Sequence, residues 1–405
     1  MNKTNLDIVL LVCFFLLIPA TGLRPFSVPI GLGELMLLAL IPASLRHANI
    51  KSWLRWTAPF LCYLTILVMS GLISGSLWTE PGLHDVLAGV FVLVAVSCFG
   101  LERVDLAIFC KWAIVGCLIL YGLLVVVFTT ESSDGIRLCC AYYNVRFTGF
   151  SINPNQLALM LLPLPFLAYW RYSVRPSGFG LPWLVVALLG IFTLGLLVGS
   201  NALLLGWVIG SVLLNVRRLP RVDFAALLLP VLLCLTWGGL PMFKGFEFVS
   251  DFGITRGAER ARTAESGSNA ESARNAEITH DGGIRLNLLQ DGLAVWMASP
   301  LIGNGPGPQV TFKGAPAEVH NTPIDVLSQT GVVGLACLAI FVIRLLKKQA
   351  NAVRLSQVLL NPTALALLVS LAVFASAHFV LRQPVFWCSL MLAAAMARTP
   401  PPARI

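Results

Sequence analysis

The chain alternates between long apolar runs and short polar joints. Runs long enough to cross ~30 Å of hydrocarbon as helices of roughly 20 residues fall near 5–22, 26–45, 54–75, 83–101, 104–129, 148–170, 181–198, 200–216, 222–240, 323–345, 357–378 and 383–397. The pattern predicts an all-α, polytopic integral membrane protein with about twelve transmembrane helices. One joint differs from the rest. From about Pro241 to Thr322 the chain is polar, which divides it into 1–240 with spans one to nine, a loop over 241–322, and 323–405 with spans ten to twelve. The middle of that loop, RGAERARTAESGSNAESARNAEITHDGG, is nearly free of large apolar residues and predicts an exposed helical or unstructured excursion. Helical spacing returns from Leu286 to Ser299, where Leu286, Leu289, Leu293 and Trp296 recur at three- and four-residue steps. Such a helix either lies along the membrane surface over the mouth of a cavity or packs as an ordinary element.

Composition strengthens this picture. The residues are 57% hydrophobic and 12% charged, whereas a soluble domain carries about twice that charge fraction. The net charge of +9 therefore does not indicate nucleic acid; basic residues hold short cytoplasmic loops in place. With the N-terminus inside, the inner loops carry Arg46, Lys51 and Arg55, then Arg103, Arg171, Arg175, Arg217, Arg218 and Arg221, then Arg344, Lys347, Lys348 and Arg354. The outer loops carry only Arg24, Arg137, Arg146 and Arg382. This asymmetry predicts both termini in the cytoplasm and the large loop in the periplasm of a bacterium, between spans nine and ten. The first apolar run is followed by Gly22-Leu23-Arg24-Pro25 in place of a small-x-small cleavage site, so it reads as a retained span. Most of the ten cysteines lie inside apolar runs, and the adjacent Cys139 and Cys140 lack zinc-type spacing. Neither a disulfide framework nor a metal site is expected.

Candidate chemistry gathers on the outer side. Asn144-Val-Arg146-Phe-Thr-Gly149 is followed by Asn153-Pro154-Asn155-Gln156 at the head of an apolar span. Unpaired amides are costly in lipid, so these residues either face a cavity or cap the helix, with Pro154 in its first turn. Ser200 lies in the tight turn between two spans. Arg285 and His320-Asn321 close the large loop, and GNGPG at 303–307 reads as tight turns, since it lacks the Lys-Ser/Thr of a phosphate loop. A lone histidine is often structural. At a water–membrane boundary, however, two arginines suit bidentate binding of phosphate or pyrophosphate oxygens, and a neutral imidazole can take a proton from an attacking hydroxyl. Together they suggest a lipid-phosphate donor and an alcohol acceptor.

These residues resemble the O-antigen ligase and polymerase family of bacterial inner-membrane proteins. Its signature is similar to His320-Asn321, nine residues, then Gly331-Val-Val-Gly334. Upstream, Arg285, Trp296 and Pro300-Leu301-Ile-Gly303-Asn-Gly305 match the family pattern, as does Arg146-Phe-Thr-Gly149 through Asn153-Pro-Asn155-Gln-Leu-Ala158. The resemblance implies a metal-independent, cofactor-free glycosyltransferase of the membrane-embedded GT-C type. It would move a glycan from an undecaprenyl-pyrophosphate carrier to an acceptor hydroxyl, on lipid A-core in a ligase or on another repeat unit in a polymerase. By that resemblance His320 is the base or the group that orients the acceptor, and Arg285 and Arg146 hold the pyrophosphate. Asn321 fixes the imidazole or binds sugar, and Asn153, Asn155 and Ser200 contact substrate. The chain departs from the family at Asn201, where an Arg is common, at Leu335, where a small hydroxyl residue is common, and at Gln329, where an acid is common. A transporter is the second reading. Against it stand the absence of half-to-half similarity and the scarcity of intramembrane charge, limited to Lys111 and Asp325. A non-enzymatic assembly scaffold is the third.

Overall fold

The computed structural model describes residues 3–21, 31–45, 49–130, 140–142, 146–174, 180–218, 286–312, 315–350 and 355–398. Before the large loop the helices are α1 (Lys3–Leu17), α2 (Leu32–Leu45), α3 (Ile50–Ser74), α4 (Glu80–Cys98), α5 (Leu106–Thr130), α6 (Pro154–Leu161), α7 (Leu164–Val174), α8 (Leu181–Val198) and α9 (Asn201–Arg218). After it come α10 (286–298), α11 (Thr322–Ala350), α12 (Leu355–Leu360), α13 (Pro362–Ala377) and α14 (Pro384–Met396). Two small antiparallel hairpins join them: β1 (Ala141–Tyr142) with β2 (Arg146–Phe147), and β3 (Val310–Phe312) with β4 (Ala315–Ala317). Among the described residues, six helical spans are long and apolar enough to cross a membrane, and five apolar helices are shorter. The chain is an all-α integral membrane protein. The run expected at 222–240 lies outside the described residues.

Local sequence explains where the helices start and stop. Asn49, Thr79, Asn153 and Asn361 cap α3, α4, α6 and α13, each accepting a hydrogen bond from a backbone N–H of the first turn. Those four donors have no carbonyl four residues back, and a short polar side chain supplies one. Proline occupies the first turn of α4, α6, α8, α13 and α14, where its missing N–H costs nothing. The run expected over 148–170 is a broken helix, α6 and α7, interrupted at Pro163. It is the most buried of the candidate spans and forms the centre of the bundle.

Two packing contacts hold the bundle around that centre. Gly206 and Gly210 of α9 lie one turn apart and let the helix approach α13 closely, with Ser370 Oγ donating to the Gly206 carbonyl at 2.7 Å. A side chain at Gly210 would overlap Ser370 and Phe166. On the other side, α3, α11 and α14 share an aromatic cluster, with Phe60–Phe341 ring centres 4.7 Å apart and Phe341–Trp387 5.3 Å apart.

Helix α11 is not continuous. Gly331 has φ 65° and ψ −168°, a conformation open essentially to glycine alone. The break is filled by the loop that precedes β3. Asn304 N and Gly305 N donate to the carbonyls of Ser328 and Gln329 at 2.8 and 2.9 Å, while Val332 N and Val333 N donate to Pro300 and Leu301 at 2.9 and 3.2 Å. Backbone groups orphaned by the break thus recover partners across it, as hydrocarbon requires. The two glycine motifs flanking His320 therefore form one interlocked piece. Gly303 belongs to it too, since a methyl there would overlap the Gln329 carbonyl.

Helix α10 packs as an ordinary element. Leu288 and Gly292 are buried against the β3–β4 hairpin, where Leu288, Val310 and Val319 form a small second core, while Leu286 faces outward. Two expectations are corrected. Buried charge inside the spans is not limited to Lys111 and Asp325, because Asp85 of α4 is only 6% exposed. Cys140 is disulfide-bonded, so the chain does hold a disulfide; its partner lies outside the described residues.

Candidate functional site

The segment from β4 to α11 carries His320 across one end of the bundle. Extended backbone alternates side chains between faces. Val319 is buried in the small core, so Glu318 and His320 turn the other way, and both line a cavity of about 910 Å³. His320 itself has φ 55°. Histidine tolerates that left-handed region better than most residues, but holds it only where the surroundings impose it. Asn321 begins α11 as its cap, with Oδ1 accepting from Ile324 N at 3.1 Å and Nδ2 donating to Ser376 O at 2.9 Å.

The cavity is divided by chemistry. At its mouth the start of α6 supplies Asn153, Asn155 and Gln156, and the chain after α1 supplies Thr21, whose hydroxyl donates to Gln156 Oε1 at 2.6 Å. Glu34, His84, Glu318, His320, His378 and Arg382 complete the polar rim, which thus holds three of the chain's five histidines. The walls between α2 and α4 are apolar: Leu37, Leu38 and Ile41 from α2, and Leu87, Phe91 and Val94 from α4, with Leu38 and Leu87 open to the surroundings. From His84 to Val94 this stripe follows helical spacing and runs about 15 Å along the axis. A polar rim beside an apolar trench suits a ligand with a charged or sugar-bearing head on a hydrocarbon tail.

The rim also carries a charge cluster in which Asp85 is buried and Arg382 and Glu318 are half-buried. Arg382 Nη1 lies 2.9 Å from Asp85 Oδ1, an ionic approach off the hydrogen-bond direction, and Nη2 binds Glu318 Oε1. Burial works against the Arg382 charge, but the Asp85 and Glu318 carboxylates outweigh it and raise its pKa above the usual arginine range. Asp85 Oδ2 also accepts from Gly307 N at 2.8 Å and from Gln329 Nε2 at 3.4 Å, and the same amide lies 3.5 Å from Asp325 Oδ2. Gln329 thus donates to two buried carboxylates.

The structure brings His320, Asn153 and Asn155 to one cavity. Asn153 is at once the α6 cap, its Oδ1 accepting from Asn155 N at 2.9 Å. Arg146 and Ser200 stand outside the cavity lining. Arg146 Nε donates to Val198 O at 2.9 Å at the end of α8, and Ser200 is 2% exposed, with no hydrogen-bond partner for its hydroxyl among the described residues. Arg285 lies outside the described residues. Asp85, Glu318 and Arg382 escaped the sequence reading, because each is a single charge hundreds of positions or a span away from its partner. The one available signal was Arg382 itself, a rare cation in an outer joint. Among the described residues no group of three His, Cys, Asp or Glu side chains is placed to hold a metal.

Comparison with known proteins fits this geometry. No curated protein matches the chain. Residues 157–339, from α6 through the first part of α11, match the family model described as O-antigen ligase. That stretch contains Ser200, Arg285, the interlocked glycine motifs and His320, and the match supports the resemblance to the O-antigen ligase and polymerase family.

Proposed function

We propose that the protein transfers a glycan from an undecaprenyl-pyrophosphate carrier to a hydroxyl of an acceptor glycan at the periplasmic face of a bacterial inner membrane, the sugar of lipid A-core being the first acceptor to test. The observation that supports this reading is the two-zone cavity. The trench between α2 and α4 suits a polyprenyl chain, and the rim suits pyrophosphate and sugar. A tail that moves from bilayer to trench exchanges one apolar surface for another and gains little free energy. The trench therefore orients the carrier and sets the depth of the scissile bond more than it adds affinity.

The acceptor hydroxyl is placed at the rim beside His320. Its oxygen bonds the anomeric carbon from the face opposite the carrier, the carbon–oxygen bond to the pyrophosphate breaks, and the released proton passes to the imidazole. Inversion at the anomeric carbon follows. Negative charge grows on the departing pyrophosphate, and Arg285 is assigned to stabilise it. The amides of Asn153 and Asn155 are assigned to the sugars, and Arg146, outside the cavity lining, is given no part in the step. Within the family the same chemistry serves a repeat-unit polymerase, in which a second carrier-linked glycan replaces lipid A-core as acceptor.

The test is transfer by the purified protein in nanodiscs from a pyrophosphate-linked donor. One arm contains lipid A-core and the other contains only further donor. Wild type forms a product in at least one arm, and the productive arm names the acceptor. His320→Ala lowers the rate by about 10²–10⁴-fold, the usual worth of a general base. No product in either arm, or full activity in His320→Ala, refutes the reading.

A further inference from the structure

The cluster around Arg382 has a geometry that the family motifs do not use. Residues 318–322 form a strap over the cavity mouth, and four contacts run from it to residues 376–382. They are Glu318 to Arg382, Asn321 Nδ2 to Ser376 O, Thr322 Oγ1 to His378 O at 2.6 Å, and Val380 N to Thr322 Oγ1 at 3.0 Å. The last three hold the strap's C-terminal end. On the N-terminal side Val319 is seated in the small core and Glu318 adds the one contact given to residues 376–382, and His320 stands between these anchors with φ 55°. The Arg382 end of that tie is itself fixed. Its other nitrogen faces Asp85, which is held by the Gly307 N–H and the Gln329 amide, and the guanidinium lies 4.8 Å over the Phe379 ring.

We propose that Arg382 is a positioning residue for His320: by gripping Glu318 with one nitrogen and buried Asp85 with the other, it fixes the strap that presents the imidazole to the acceptor. This inference rests on the reading of His320 as the base. Arg382 acts without touching the reacting atoms, and its charge is already balanced by carboxylates, so it is not assigned to pyrophosphate. A guanidinium suits the role, because its planar fork of donors reaches two carboxylates at once. The Asp85 contact also ties the glycine loop at 305–307 into the cluster through the Gly307 N–H. That loop orders the carboxylate that orders the arginine.

The experiment measures kcat and donor KM for full-length protein in nanodiscs. The variants are His320→Ala, Glu318→Ala, the charge-free pair Asp85→Asn with Arg382→Met, and that pair combined with Glu318→Ala. Glu318→Ala leaves the Arg382–Asp85 pair in place, so it tests the inference even if the pair variant does not fold. The expected result is a fall in kcat of about tenfold or more for Glu318→Ala with KM changed by less than about threefold. The pair variant loses a similar factor, and the combination is no worse than either, since both cut the same tie. Glu318→Gln, which keeps an acceptor for Arg382, recovers part of the loss. Wild-type kcat in Glu318→Ala, or losses that multiply in the combination, overturns the proposal. If His320→Ala retains transfer, the underlying reading has failed instead.

Discussion

Gly331→Ala perturbs the joint on which the site is built. At φ 65° and ψ −168° an alanine sits in a region that costs about 1–3 kcal/mol for any residue with a Cβ. Its methyl would overlap the Leu301 carbonyl carbon and oxygen, so the loop must withdraw. Withdrawal strains the bonds from Val332 N to Pro300 O and from Val333 N to Leu301 O. Each is worth about 0.5–1.5 kcal/mol net, and more where no water can replace it. The sum is a destabilisation of about 2–6 kcal/mol. Unfolding by titration with sodium dodecyl sulfate in mixed micelles measures it. The control is Val332→Ala at the next position, whose side chain is 45% exposed and which should change stability by no more than about 0.5 kcal/mol. A Gly331→Ala protein as stable as that control would refute the interlock of the broken helix with the 300–305 loop.

Other consequences can be checked separately. Gly210→Leu forces α9 away from Ser370 and Phe166 and should lower stability by about 1–3 kcal/mol or more, as overpacking does, read in the same titration. Gln329→Glu exchanges an amide donor for a third carboxylate beside Asp85 and Asp325. It should cost about 2–4 kcal/mol at pH 7 and less as pH falls and the added acid is protonated, so an unchanged stability at pH 7 would contradict the cluster. Ala88→Trp fills the trench beside Leu87 and Phe91 and should lower kcat by about tenfold for a full-length polyprenyl donor, by misplacing the scissile bond, while sparing a short-chain one. Equal effects on both donors would place the tail elsewhere.

Much of the architecture was legible because lipid imposes it. Long apolar runs, prolines at helix starts and Asn or Thr caps are local signals, and the helices follow them to within a few residues. The exceptions have tertiary causes. The span over 148–170 looked continuous, yet Pro163 breaks it at the bundle centre, where neighbouring helices surround the exposed backbone. The periodicity of 286–299 suggested a stripe through Leu286, but the hairpin beneath selects Leu288 and Gly292, one helical face over. Strands of two or three residues carry no period at all. At the site, the family motifs marked His320 and both glycine pairs, and the spacing of Asn153 and Asn155 allowed either capping or a cavity role. Asn153 combines the two. The interlock of Gly331 with the 300–305 loop was invisible, since hydrogen bonds between two motifs leave no trace in either. Asp85 and Arg382 are 297 positions apart (382 − 85), and a single acid in an apolar helix announces nothing until its partner is seen.

The central claim is that the α2–α4 trench holds the carrier with its head beside His320. Photocrosslinking tests this most directly, using a polyprenyl diphosphate that bears a diazirine on the isoprene units nearest the phosphate. Mass spectrometry of the irradiated protein in nanodiscs should place adducts on Leu38, Leu87 or Phe91, with competition by unlabelled donor and loss of adducts in Ala88→Trp. Adducts confined to the outward faces of α8 and α9, or insensitive to competition, would contradict the account.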